Sequence, residues 1–202
     1  MAVTAGRITP AEFRARPLRV HALLHDVPLE DAWAIPLSGG GEGRTVEDVR
    51  AAMVTGIRDA PSVVGALFQL RFRIGAVLGW DRRRLDWDAQ SYASRLTPED
   101  RARSLAPPGT PDGHFALLYR FEDEQLGELR NATVHGFASL SIRPAPGGYL
   151  VYLGVFVRPV HRLTRLYMRA IAPFRHLLVY PAIIRKMQSA WVARYGERGE
   201  RA

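Results

Sequence analysis

Cysteine is absent from all 202 residues, which excludes disulfides, thiolate nucleophiles and cysteine-ligated metal centres and suits a reducing compartment. Lysine occurs once, as Lys186, and asparagine once, as Asn131. No apolar run approaches the roughly 20 residues that cross a bilayer, and Leu177 to Ile184, a nearly uncharged one, is interrupted by Pro181. Met1 to Phe13 lacks the apolar core of a signal peptide, so a cytoplasmic location is expected. Neither GxGxxG nor GxxxxGK[ST] is present, and the glycine run at 38–43 reads as a flexible turn rather than a phosphate cradle. Low-complexity tracts are missing too. With 47% apolar residues, the chain suits one domain with a sizeable core.

What the chain has in excess is positive charge, +8 formally and almost wholly arginine. Most arginines are scattered and read as solvated faces, so nucleic acid is not an expected partner. Arg158, Arg162, Arg165 and Arg169 form one stripe that could meet phosphates or lipid headgroups. They open the strongest periodic segment, His161 to Tyr195. There Leu163, Leu166, Tyr167, Ile171, Phe174, Leu177, Leu178, Ile184, Met187, Trp191 and Tyr195 recur at helical spacing. Pro173 and Pro181 each remove a backbone donor, which predicts a long C-terminal helix kinked or broken at both.

Upstream, Thr9-Pro10-Ala11-Glu12 predicts a short capped helix ended by Pro17. Leu18 to Leu24 and Asp31 to Leu37 read as extended, the second with Pro36 at an edge. Thr45 to Asp48 caps a helix through about Ile57, stopped by Gly56 and Pro61, and Ser62 to Leu78 reads as a further helix. Residues 80–113 form a long charged, proline-rich connection containing a small capped helix at Thr97. Its length suits a lid, with 85–105 as the covering part. His114 to Phe121 alternates, with Phe115, Leu117, Tyr119 and Phe121 on one face. Leu126 to Arg143 reads as one long extended stretch. Tyr149 to Val157 is its hairpin partner across Pro144–Gly148, and both faces of that strand are apolar. The last helix covers one face. The N-terminal segment or a second subunit, in a homodimer, covers the other.

The expected fold is α+β: a curved antiparallel sheet wrapped around a long kinked C-terminal helix, with two shorter helices before the meander. Residues 1–17 are an N-terminal extension, 18–195 one domain, and 196–202 a disordered tail.

Short blocks prompt a family resemblance. They are Asp31-Ala32-Trp33, Arg95-Leu96-Thr97-Pro98, Leu117 to Phe121, Glu128-Leu129, Asn131 to Phe137, Tyr167 and Ile171 to Pro181. Over residues 20–195 these resemble the bacterial family called domain of unknown function 2867. That family is similar to the START/Bet v 1-like (polyketide cyclase, SRPBCC) superfamily, whose helix-grip fold encloses a hydrophobic ligand cavity. The resemblance implies such a cavity here, between sheet and C-terminal helix. It brings no reaction, so no catalytic residue carries over.

Candidate chemistry is sparse. Asn131, Thr133 and His135 share one side of their strand, opposite Val134, and can orient a ligand carbonyl or tie the strand to the N-terminal segment. His176 and Tyr180 are one turn apart on the last helix, and Tyr167 lies on its apolar stripe. His21, His25 and Asp26 have ligand-like spacing only on a helix, and the extended reading excludes metal there. Arg82-Arg83-Arg84 between Trp80 and Trp87 reads as an anchor for the connection. The expected function is binding of a lipid-, polyketide- or isoprenoid-like molecule, without a cofactor, against Tyr119, Asn131, His135, Tyr152, Tyr167, Phe174 and His176. The alternative is a cyclase- or lyase-type enzyme in which His135 or His176 moves a proton.

Overall fold

The computed structural model describes residues 5–58, 91–130, 134–159 and 171–196. The helix expected at 62–78, the arginine–tryptophan cluster at 80–87, Asn131, Thr133, Tyr167 and Arg162 to Arg169 lie outside them.

The architecture is α+β. In chain order the elements are β1 (Gly6–Arg7), α1 (Pro10–Arg14), α2 (Val20–Leu23), β2 (Leu29–Ser38) and α3 (Val46–Arg58). A 3₁₀ turn (Tyr92–Arg95) and α4 (Pro98–Arg103) follow, then β3 (Pro111–Asp112), β4 (Phe115–Arg120), β5 (Glu124–Arg130), β6 (Val134–Ala145) and β7 (Gly148–Pro159). A π-helical turn (Arg175–Val179) leads into α5 (Tyr180–Tyr195), and the chain is helical from 171 to 195. The strands form one antiparallel sheet in the order β1-β2-β7-β6-β5-β4-β3.

Residues directly opposite in antiparallel register share a face, so the pairing sorts the side chains. Trp33, Leu153 and Leu140 form one row of an inner face; Ile35, Val151 and Ile142 form the next. They pack with Val46, Val49 and Ala52 of α3 and with Ile184, Met187 and Trp191 of α5. Ala34 and Tyr152, and Phe156 and Phe137, lie on the outer face. There they join Phe13, Val20, Leu23, Leu24, Tyr92 and Leu96 in a second core. Both faces of β7 therefore pack against a core, and the N-terminal segment covers the outer one. Phe13 seals it: a Cβ on Gly154 would come within 2.5 Å of the Phe13 ring.

Capping follows the sequence at α1, where Thr9 and Glu12 satisfy each other's backbone amides, and at α4 with Thr97 and Asp100. The Pro146-Gly147 turn between β6 and β7 has Gly147 at φ +75°, a conformation that favours glycine.

Other expectations are corrected. Leu18 to Leu24 is not extended but contains α2, because the buried Glu124 carboxylate accepts the amides of Arg19 (2.8 Å) and Val20 (2.9 Å) and so supplies a tertiary N-cap. Leu126 to Arg143 is not one strand but parts of β5 and β6, paired with each other. The alternation in β4 breaks at a bulge, where Leu118 has no partner, so Leu118 and Tyr119 both enter the outer core. Gly56 does not stop α3; it lies inside it. The helical stripe is shifted as well: Phe174, Leu177 and Leu178 are exposed, because the π turn ahead of Pro181 re-phases the faces.

The open edge of β2 beyond β1 is managed by α5. Gln188 Nε2 donates to the Pro36 carbonyl (2.8 Å) and Trp191 Nε1 to that of Ser38 (3.2 Å).

Candidate functional site

The group that gathers the most chemistry is Asp31. A bulge at Glu30 lies between the Leu29–Phe156 and Asp31–Val155 pairs and turns the Asp31 side chain to the inner face. Its carboxylate is wholly buried. It accepts hydrogen bonds from His176 Nε2 and from the Tyr180 hydroxyl (3.0 Å), and pairs with Arg175 Nη1 (3.2 Å). Arg7 Nη1 donates to His176 Nδ1 (3.4 Å), which assigns the neutral ring's proton to Nε2, facing Asp31. Burial, then the Asp31 charge, raises the Tyr180 phenol far above its ordinary range, so it stays a donor.

The π turn makes this convergence possible. It ends at Val179, just ahead of Pro181, whose missing N–H cannot continue an α-helical ladder, and it brings Arg175, His176 and Tyr180 round to one carboxylate. Two buried donors at this end, Trp33 Nε1 and Arg175 Nε, have no acceptor among the described residues. The Trp33 ring lies 5.2 Å from that of Tyr180.

From Asp31 the register runs across the inner face through Val155, Ala138 and Gly127, with Phe115 laid over Gly127. Under α3 and α5, Leu140, Ile142, Tyr149 and Val151 are buried. Toward Asp31 the cover thins: Leu153, Val155, Ala138, Leu129 and Phe115 are only partly buried. An apolar, small-residue surface thus ends at a polar cluster.

The residues expected to form the site do not all meet there. His176 does. Phe174 is on the same helical segment but 53% exposed. Tyr119, His135 and Tyr152 belong to the outer face, away from α5. Tyr119 donates to Glu124 (2.5 Å), and burial together with that carboxylate raises its phenol well above its usual range. His135 Nε2 bonds the fully buried Glu128, which also accepts from Ser91 Oγ (2.6 Å) and the Tyr92 amide (3.3 Å). His135 therefore ties its strand to the 3₁₀ turn, and Arg158 Nη1 donates to the Tyr92 hydroxyl beyond (3.1 Å). His21 stands edge-on to Phe13, His25 Nδ1 bonds the Ala22 carbonyl, and Asp26 pairs with Arg95. These three thus turn to separate partners.

Asp31, Arg175 and Arg7 are the site residues that sequence reading missed. Asp31 reads as an ordinary strand opener, and its partner His176 lies 145 positions away. An open groove of about 340 Å³, lined by Arg44, Glu122, Asp123, Ile142, Arg143 and Tyr149 among others, contains none of the expected site residues.

Comparison with curated proteins and with solved structures found no significant match. One family does match, over residues 23–182, and on that span the chain belongs to the family described as protein of unknown function (DUF2867).

Proposed function

We propose that this protein binds an apolar small molecule on the inner face of its sheet, with the polar end of the molecule at Asp31, His176 and Arg175. Lipid-, polyketide- and isoprenoid-like molecules are the class. The observation that carries the reading is the row of partly buried Val155 and Ala138 and buried Gly127 beneath a partly buried Phe115, which ends at a wholly buried carboxylate with three donors. Such a surface suits a ligand whose body is apolar and whose orientation is set by a few polar groups. The unpaired Trp33 Nε1 and Arg175 Nε favour an oxygen acceptor on that ligand, since unmet buried donors are costly. The element order, with α3 before the meander and a long helix after it, supports a helix-grip arrangement of START/Bet v 1-like type in which sheet and helix enclose the hollow.

Thermal-shift screening with fatty acids, aromatic polyketides and prenyl alcohols tests this. A ligand at about 100 times its Kd stabilises the fold by roughly 2.7 kcal/mol. Ala138→Phe, which fills the row, is expected to abolish the shift while the protein stays folded. Absence of any stabilising apolar ligand, or an unchanged shift in the filled variant, overturns the reading.

A second reading is proton transfer by His176 on a bound substrate, as in a cyclase or lyase. The His176–Asp31 pair favours it, because a carboxylate behind an imidazole fixes its tautomer and supports the imidazolium. His176→Gln then removes turnover and leaves ligand affinity within a few-fold; unchanged turnover excludes it.

A further inference from the structure

The chain's positive charge is not evenly distributed. Residues 129–196 hold ten arginines and lysines and no aspartate or glutamate, while the rest of the chain holds eighteen basic residues against twenty acidic ones. The whole formal excess therefore resides in the stretch that runs from the end of β5 through β6, β7 and the last helix.

Within the described residues of that region, Arg143 pairs with Asp123 and Arg175 with Asp31, Arg158 donates to the Tyr92 hydroxyl, and Arg194 lies over the Tyr195 ring. Arg185 and Lys186 are exposed on α5 and form no ion pair among the described residues. They share the helix surface with side chains that belong in a core. Phe174 is 53%, Leu177 75% and Leu178 45% exposed. Positions three and four apart adjoin on a helix, so the three make one patch. Arg185 lies two turns beyond Leu178 on the same side, and the 51% exposed Val192 two turns beyond that.

We propose that this outer face of the last helix docks on an anionic membrane surface, with Phe174, Leu177 and Leu178 entering the headgroup region and Arg185 and Lys186 meeting lipid phosphates. Aliphatic side chains beside cations, with no carboxylate on the same helix, are the composition of an interfacial helix. A nucleic acid partner uses the cations and leaves exposed leucines unexplained. The docking stands on exposure and charge and does not depend on the ligand reading. If both hold, one helical turn serves both. Arg175 and His176 face Asp31 inward, and Leu177 and Leu178 face outward, which suits exchange of an apolar ligand with lipid.

The experiment is co-sedimentation of the full chain with vesicles of phosphatidylcholine alone or with about a third phosphatidylglycerol. Binding is expected to the anionic vesicles only, falling steeply as salt rises to about 0.5 M. Arg185→Glu with Lys186→Glu is expected to weaken it about tenfold or more. Leu177→Ser with Leu178→Ser should weaken it comparably. Arg14→Glu with Arg101→Glu, an equal charge change at exposed positions elsewhere, should leave most of the binding. All six positions are exposed, and circular dichroism confirms that each variant is folded. Because the chain has no cysteine, a polarity-sensitive dye on Leu177→Cys reports insertion directly, as a blue shift with anionic vesicles. Equal binding to neutral vesicles, equal loss in the Arg14/Arg101 variant, an unshifted dye, or duplex DNA binding that survives the serine substitutions overturns the proposal.

Discussion

At the residue scale the molecule depends on buried carboxylates that collect donors from distant elements. Asp31 is the sharpest case. Asp31→Asn leaves Arg175 without its counter-charge and two donors competing for a poorer acceptor. It should cost about 2–4 kcal/mol in urea denaturation, whereas Tyr180→Phe, which removes one donor, should cost about 1 kcal/mol. Equal, small losses would show that the cluster is solvated. A contrasting case is Asp26, whose carboxyl is held down to about 2 by the hydrogen bonds from Arg95. A native value below the ordinary 3.8 stabilises the fold above that pH, and the contribution disappears as pH falls from there through about 2. The Asp26 side chain is 42% exposed, so solvent screening keeps the contribution below about 1 kcal/mol. The urea midpoint of Asp26→Asn should therefore lie slightly below that of the parent protein at pH 7 and converge with it in acid.

At the scale of elements, what is local in the sequence is legible and what is tertiary is not. The Thr9 and Thr97 caps, the Pro146-Gly147 turn and the two-faced apolar pattern of β7 all follow from neighbouring residues, and the structure contains them. α2 and the β4 bulge do not, since the first is capped by Glu124 from 104 positions away and the second is defined only by pairing with β5. Gly56 separates the two kinds of information. By local rule a glycine near a proline ends a helix, yet here it lets α3 meet α5. A Cβ on it would stand 2.7 Å from the Met187 amide nitrogen and 3.2 Å from the Ile183 carbonyl oxygen, backbone atoms that cannot step aside. Gly56→Ala gains up to about 1 kcal/mol of helix propensity but overpacks a helix crossing, at about 1–3 kcal/mol. Net destabilisation of about 1–2 kcal/mol is expected on thermal unfolding. Stabilisation would mean that the two helices do not pack as described.

At the scale of the whole molecule the organising fact among the described residues is one sheet with two separate cores. The inner core and its helices were foreseeable from the C-terminal periodicity, since Ile184, Met187 and Trp191 keep their helical spacing. For the outer core only its existence was foreseeable, from the two apolar faces of β7; the pieces that build it, α1, α2 and the turn at Tyr92, are too short to carry a period. For the same reason Tyr119, His135 and Tyr152, polar-tipped residues that sequence patterning assigns to a ligand wall, share the outer core. Residues 5–17 are as much part of the fold as the meander is. β1 pairs with β2 at Ala34 and Trp33, Arg7 reaches His176, and Phe13 is fully buried against Gly154. Phe13→Ala should cost about 3–5 kcal/mol. Deleting residues 1–17 removes that ring, uncovers Tyr152 and Phe156, and exposes the β1 side of β2 for pairing with another chain. The truncated protein is expected to aggregate or to unfold at least 10 °C below the full chain, given roughly 2–4 °C per kcal/mol at this size. A soluble truncated protein with unchanged thermal stability would mean that the outer core closes without its N-terminal cover.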